Sequence, residues 1–150
     1  MNIAEENINI DGFKFRGMDL SGDWHIGNLA ILKVPASPNV KPGYYISNKV
    51  GMPFAYAVRP ETIGRCTGHK DEKGNLVFEG DIIYCHFPDS PVHGKSLISY
   101  LDESCRFVMA PSPKFIKTLF EENIKSSVVV GNMFQNPDML NEIMLKKEIE

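Results

Sequence analysis

Glu79-Gly80-Asp81-Ile82-Ile83-Tyr84-Cys85-His86-Phe87 is the stretch whose reading decides the fold. From Ile82 onward, β-branched and aromatic side chains suit a pleated, half-buried surface, so the segment reads as a strand. A glycine between two acids just ahead of it marks a bulge or sharp bend, a common corner device in small barrels. Leu76-Val77-Phe78 is the strand that this bend interrupts. Before it, the charged run His69-Lys70-Asp71-Glu72-Lys73-Gly74-Asn75 has the chemistry of a hairpin turn.

Downstream, residues 88–95 read as an exposed loop. Ser96 to Leu101 and Arg106 to Ala110 read as two strands joined by the polar turn Asp102-Glu103-Ser104. Between Lys114 and Glu122, the spacing of Phe115, Leu119 and Phe120 predicts a short helix. Val128-Val129-Val130, inside Ser126 to Phe134, resists helix and predicts a buried strand that closes a small barrel. Asn136 is placed to cap a helix with Pro137 at its first position. Met139, Leu140, Ile143 and Met144 recur at helical spacing. The end, with Lys146, Lys147, Glu148 and Glu150, is expected to fray.

Upstream, Phe13-Lys14-Phe15-Arg16 alternates apolar and basic residues, which puts both aromatics on one face of a strand. Ser21-Gly22-Asp23 supplies a turn, and Trp24 to Val34 returns as the second arm of a hairpin. Pro35, Ser37, Pro38, Pro42 and Gly43 form a loop. Tyr44-Tyr45-Ile46 and Phe54 to Val58 flank a turn at Gly51-Met52-Pro53 as further strands. The expected fold class is therefore mainly β: an N-terminal β lobe (1–58, with a disordered lead-in), a C-terminal small β-barrel (59–135) and a short C-terminal helix (136–150).

The chain has 150 residues, 43% hydrophobic and 23% charged, enough for one core or two small lobes. A formal charge of −3 gives no general polyanion footprint. Cys66, Cys85 and Cys105 form neither a CxxC clip nor an even disulfide framework, which fits reduced thiols in a cytoplasm. Met1 to Asp11 lacks the basic and apolar regions of a secretory signal, and no apolar run reaches the length of a membrane helix. A cytoplasmic location is expected, with no membrane partner.

Several constellations bear on chemistry. Cys66 with His69 would make an activated thiolate, but a core cysteine beside a solvated turn histidine explains both more simply. Asp81, Cys85, His86 and His93 are metal-ligand types, yet neighbouring strand residues point to opposite faces, so no metal site is assigned. Glu61, Glu79 and Asp81 could split their pKa values for acid/base work. The simpler account has Glu79 and Asp81 bonding backbone groups at the bend, and no catalytic residue or cofactor is assigned. Lys14, Arg16, Arg59, Arg65 and Lys70, with Tyr44, Tyr45 and Tyr56, could supply phosphate contacts and stacking faces for nucleic acid.

The ordered set of segments is specific where its pieces are not. Phe13-Lys14-Phe15-Arg16-Gly17 is followed by Gly22-Asp23-Trp24 and Gly27, then by Arg59-Pro60-Glu61-Thr62-Ile63-Gly64. Thr67-Gly68, Asp71, Gly74 and Glu79-Gly80-Asp81-Ile82 come next, and Val130-Gly131-Asn132-Met133-Phe134 with Asn136-Pro137 closes the series. From about Phe13 to Leu140 the chain resembles the YopX family. The resemblance implies phage or prophage origin, an SH3-like roll for the barrel, self-association, and no established activity. Cys66 and His69 depart from it, standing where bulkier aromatic or aliphatic residues are more usual.

The expectation that follows is a non-enzymatic phage or prophage accessory module that binds a protein partner or a second copy of itself. Its candidate surface is Arg59, Glu61, Thr62, Arg65 and Lys70, in a segment richer in polar residues than folding alone requires. Nucleic-acid binding is the second reading, and a hydrolytic or metal-dependent enzyme the third.

Overall fold

The bend at Glu79-Gly80 is present. In the computed structural model, which describes residues 9–48 and 53–146, Gly80 has φ +92°, a left-handed conformation that glycine adopts without a Cβ penalty. Its N–H donates to the carbonyl of Ile98 at 2.7 Å and its carbonyl accepts from Met133 at 2.8 Å. Asp81 is 1% exposed, and its carboxylate accepts the N–H of Phe78 at 2.8 Å. The reading of Asp81 as a turn residue holds. Residues 1–8 of the expected lead-in, part of the turn at Gly51-Met52-Pro53, and the expected fraying end beyond Lys146 lie outside the described residues.

The chain divides into two compact units, Met1–Gly68 and His69–Glu150. In the first, β1 (Phe15–Met18) pairs antiparallel with β2 (Trp24–Leu32) as the expected hairpin, with Phe15 opposite Gly27. β3 (Gly43–Ser47), β4 (Tyr56–Val58) and β5 (Gly64–Lys70) follow, β5 ending past the division at Gly68, and these strands lie in the order β4-β3-β2-β1-β5. Ile46 is fully buried and Val58 nearly so. Phe13 is not on β1. It ends a 3-10 turn, Ile10–Phe13, and is exposed, because Lys14 N–H bonds back to Asp11 and the strand begins only at Phe15.

The second unit holds β6 (Leu76–Phe78), β7 (Asp81–Cys85), β8 (Gly94–Leu101), β9 (Arg106–Ser112), β10 (Phe115–Thr118) and β11 (Ser127–Asn132). Two helices, α1 (Glu121–Lys125) and α2 (Pro137–Met144), complete it. The core packs Val77, Ile83, Cys85, Val92, Ile98, Met109 and Ile124, with Phe87, Phe107 and Phe115 against it. The mainly β class is as expected. The segment expected as helix splits: Phe115–Thr118 is a strand on β9, where Lys117 pairs with Met109, and only Glu121–Lys125 is helical. α2 lies in the expected segment but ends at Met144, and Asn136 does not cap it; its side chain instead accepts the N–H of Asn132 at 3.0 Å.

One correction concerns closure. The five strands run β10-β9-β8-β7-β11 as an open antiparallel sheet, and among the described residues no closed barrel forms. Both edges account for this. On β11, Glu72 N–H donates to the Ser127 carbonyl at 2.9 Å and Asp71 accepts from Val129, so the preceding hairpin turn occupies the free edge. β10 is short, and its register with β9 shifts between Phe115 and Lys117, an irregularity that twists an edge away from further pairing. As an edge strand, β11 leaves Val130 37% exposed and buries Ser127 and Asn132 rather than its valines.

Candidate functional site

Arg59 leads from β4 into a 3-10 turn, Pro60–Thr62, whose proline fits the first position because a backbone N–H there would find no acceptor within the turn. Arg59 N–H donates to the Met18 carbonyl at 2.8 Å. Thr62 Oγ1 accepts the Met18 N–H at 2.9 Å and donates to the Arg59 carbonyl at 2.6 Å. Thr62 is 2% exposed, so it does not belong to the expected surface. A buried hydroxyl with both partners supplied fastens the turn to β1. Arg59 and Glu61 are at the surface, 3.9 Å apart, and Arg65 is exposed on β5 opposite Phe15. Lys70 is exposed in the second unit.

Arg59 also borders a shallow groove of about 440 Å³ in the first unit, lined by Leu20, Lys41, Tyr44, Tyr45, Ala57 and Pro60. The Tyr45 hydroxyl donates to the Lys41 carbonyl at 2.6 Å, which fixes the loop that presents the lysine. Leu20 is 90% exposed and Tyr44 37%. β4, the outer strand of this unit's sheet order, runs along the groove through Ala57 and Val58. Lys41 and Arg59 are its charged lining residues. Sequence reasoning named Arg59, Tyr44 and Tyr45 separately but not Leu20 or Lys41, which carry no local signal: Lys41 lies in the loop between β2 and β3, and Leu20 follows Met18, whose carbonyl accepts the Arg59 N–H.

Three of the residues considered for nucleic acid are engaged within the first unit. Arg16 is 8% exposed with its guanidinium 4.4 Å from the Trp24 ring, Lys14 is bound by Asp11 at 2.8 Å, and Tyr56 stacks on His25 at 3.8 Å. Asp19 accepts from His25 Nε2 at 2.7 Å. That bond, with the Asp23 and Ser21 N–H groups, holds the Asp19 carboxyl below the ordinary carboxylate range.

The other chemical candidates are not assembled into sites. Cys66 is 3% exposed and its sulfur accepts the Gly68 N–H at 3.3 Å; His69 lies 3.8 Å from Glu121 in the second unit. Cys85 is fully buried, and burial pushes its thiol up to about 11, against a small opposing pull from Lys117. Among the described residues no group of three or more His, Cys, Asp or Glu side chains is placed to hold a metal ion. Asp71 is 5% exposed and accepts from Lys73, Asn75 and Val129 at 3.0, 2.8 and 2.9 Å.

A family model described as YopX protein matches residues 26–141, from within β2 to within α2. The chain belongs to the YopX family. Among solved structures, this YopX-family chain is similar to protein EF1440 from Enterococcus faecalis, at 25% identity and a TM-score of 0.50. That likeness covers 85% of this chain and 96% of the other. No curated protein matches it. The residues by which the YopX resemblance is read, among them Thr62, Asp71, Gly80, Asp81 and Asn136, hold turns and a sheet edge in this fold. None of the described helices is long and apolar enough to cross a membrane.

Proposed function

We propose that this YopX-family chain is a non-enzymatic, cytoplasmic accessory module of phage or prophage origin that binds an extended acidic and apolar segment of a partner protein. The binding site is the groove beside β4. One observation carries the reading: two cations, Lys41 and Arg59, flank an exposed apolar and aromatic lining along an outer strand. An outer strand offers main-chain donors and acceptors to an added strand, and pockets beside it select side chains. Glu61 offsets part of the Arg59 charge, so Lys41 carries more of the attraction.

Fluorescence anisotropy with a labelled peptide alternating Glu and Leu tests the proposal. Salt-weakened binding of that peptide, and not of its Lys and Leu counterpart, supports it. Stronger binding of a labelled oligothymidine points to the nucleic-acid reading instead. A dimer by light scattering, with no peptide bound, points to self-association through the same strand.

A further inference from the structure

The loop between β7 and β8 is closed by one unusual bond: the Phe87 backbone N–H donates to Nδ1 of His93 at 3.0 Å. A backbone amide can only donate, so Nδ1 must present its lone pair and the neutral ring must carry its proton on Nε2. Nε2 faces the Tyr84 hydroxyl at 3.5 Å. Protonating the ring puts an N–H on Nδ1 against the Phe87 N–H, and donor then opposes donor. We propose that His93 is a pH-sensitive latch, holding this loop closed while neutral and releasing it on protonation.

What the latch holds is apolar. Ser90 N–H bonds Phe87 O at 2.9 Å and His93 N–H bonds Ser90 O at 3.0 Å, which winds the loop so that Val92 reaches the core at 4% exposure. Phe87 packs on the same core. Release therefore uncovers Phe87 and Val92. Of the titratable groups around the ring, Tyr84 and exposed His86 come from the β7 side, the His86 ring 5.4 Å away. A second positive charge on His86 would oppose one on His93 rather than hold it. β8 contributes Lys95, opposite Tyr84 in register, whose ammonium is held by Glu142 of α2 at 2.7 Å. The loop itself carries Asp89, which is exposed.

NMR on the full chain between about pH 8 and pH 5 tests the latch. The expected result is the Nε2–H tautomer of His93 at the upper end. Phe87 amide protection, corrected for intrinsic exchange, then falls roughly tenfold or more as the pH is lowered, while amides of β8 and β9 keep theirs. His93→Asn places an amide oxygen where Nδ1 stands and does not titrate, so its Phe87 protection should persist to the lower end. His86→Asn should retain the wild-type transition. An Nδ1–H tautomer, unchanged Phe87 protection across the titration, the same loss in His93→Asn, or disappearance of the transition in His86→Asn would each overturn it.

Discussion

Asp71 Oδ2 accepts the backbone N–H of Val129 at 2.9 Å, across 58 positions of chain. The same carboxylate holds its own turn through the N–H groups of Lys73 and Asn75, so one side chain ties a hairpin turn to the edge of the sheet. Burial alone would push the Asp71 carboxyl up. The N–H groups of Val129, Asn75 and Lys73, with the Asn75 side chain, outweigh it and set the carboxyl below its ordinary value. A carboxyl lowered in the folded state adds stability that is fully present above the unfolded value of about 3.9 and is lost as pH falls through the folded one. Asp71→Asn turns one oxygen into a donor facing an N–H and should cost about 2–3 kcal/mol near pH 7. Urea unfolding of both chains should show that gap narrowing toward about pH 3; a gap that does not change with pH would contradict the assignment.

Thr62 is the second fastening. Thr62→Val keeps the shape but strands the Met18 N–H, whose acceptor is the hydroxyl, while the Arg59 carbonyl keeps the Thr62 backbone N–H at 3.0 Å. The expected loss is about 1–3 kcal/mol, with most of it recovered in Thr62→Ser. Equal stability of all three chains in thermal unfolding would show that the hydroxyl bears no structural role.

The cysteines should separate cleanly. Cys105 is exposed, whereas Cys66 and Cys85 are buried and Cys85 is further protonated by its surroundings. Under native conditions iodoacetamide followed by peptide mass spectrometry should label Cys105 alone, and all three after denaturation. Native labelling of Cys85 at a rate comparable with Cys105 would mean the second core is open.

Much of this fold is legible in the sequence, and the misses share one cause. The β1–β2 hairpin, β7 to β9 and α2 each combine a clear period with turn residues at their ends. Phe115, Leu119 and Phe120 satisfied a helical spacing, yet pairing of Lys117 with Met109 on β9 made the segment a strand. Three valines in β11 argued for a buried closing strand, but the Asp71 turn occupies its outer edge and Val130 is exposed. Thr62 sat in a polar stretch that read as surface, and a backbone donor 44 positions away draws it inside. Each reversal depends on a partner distant in sequence, which local pattern cannot supply.

The groove is the central claim, and Lys41 is its cleanest probe. Its side chain is exposed, and the loop around it is fixed by its backbone carbonyl, which substitution leaves in place. Titration of the labelled Glu and Leu peptide against the wild-type chain and a Lys41→Glu, Leu20→Asp double variant tests the claim most directly. The account predicts binding to the wild type and about tenfold or greater weakening in the variant, with unfolding stability unchanged. Equal affinity for the two chains, or no binding to the wild type at about millimolar concentration, would contradict it.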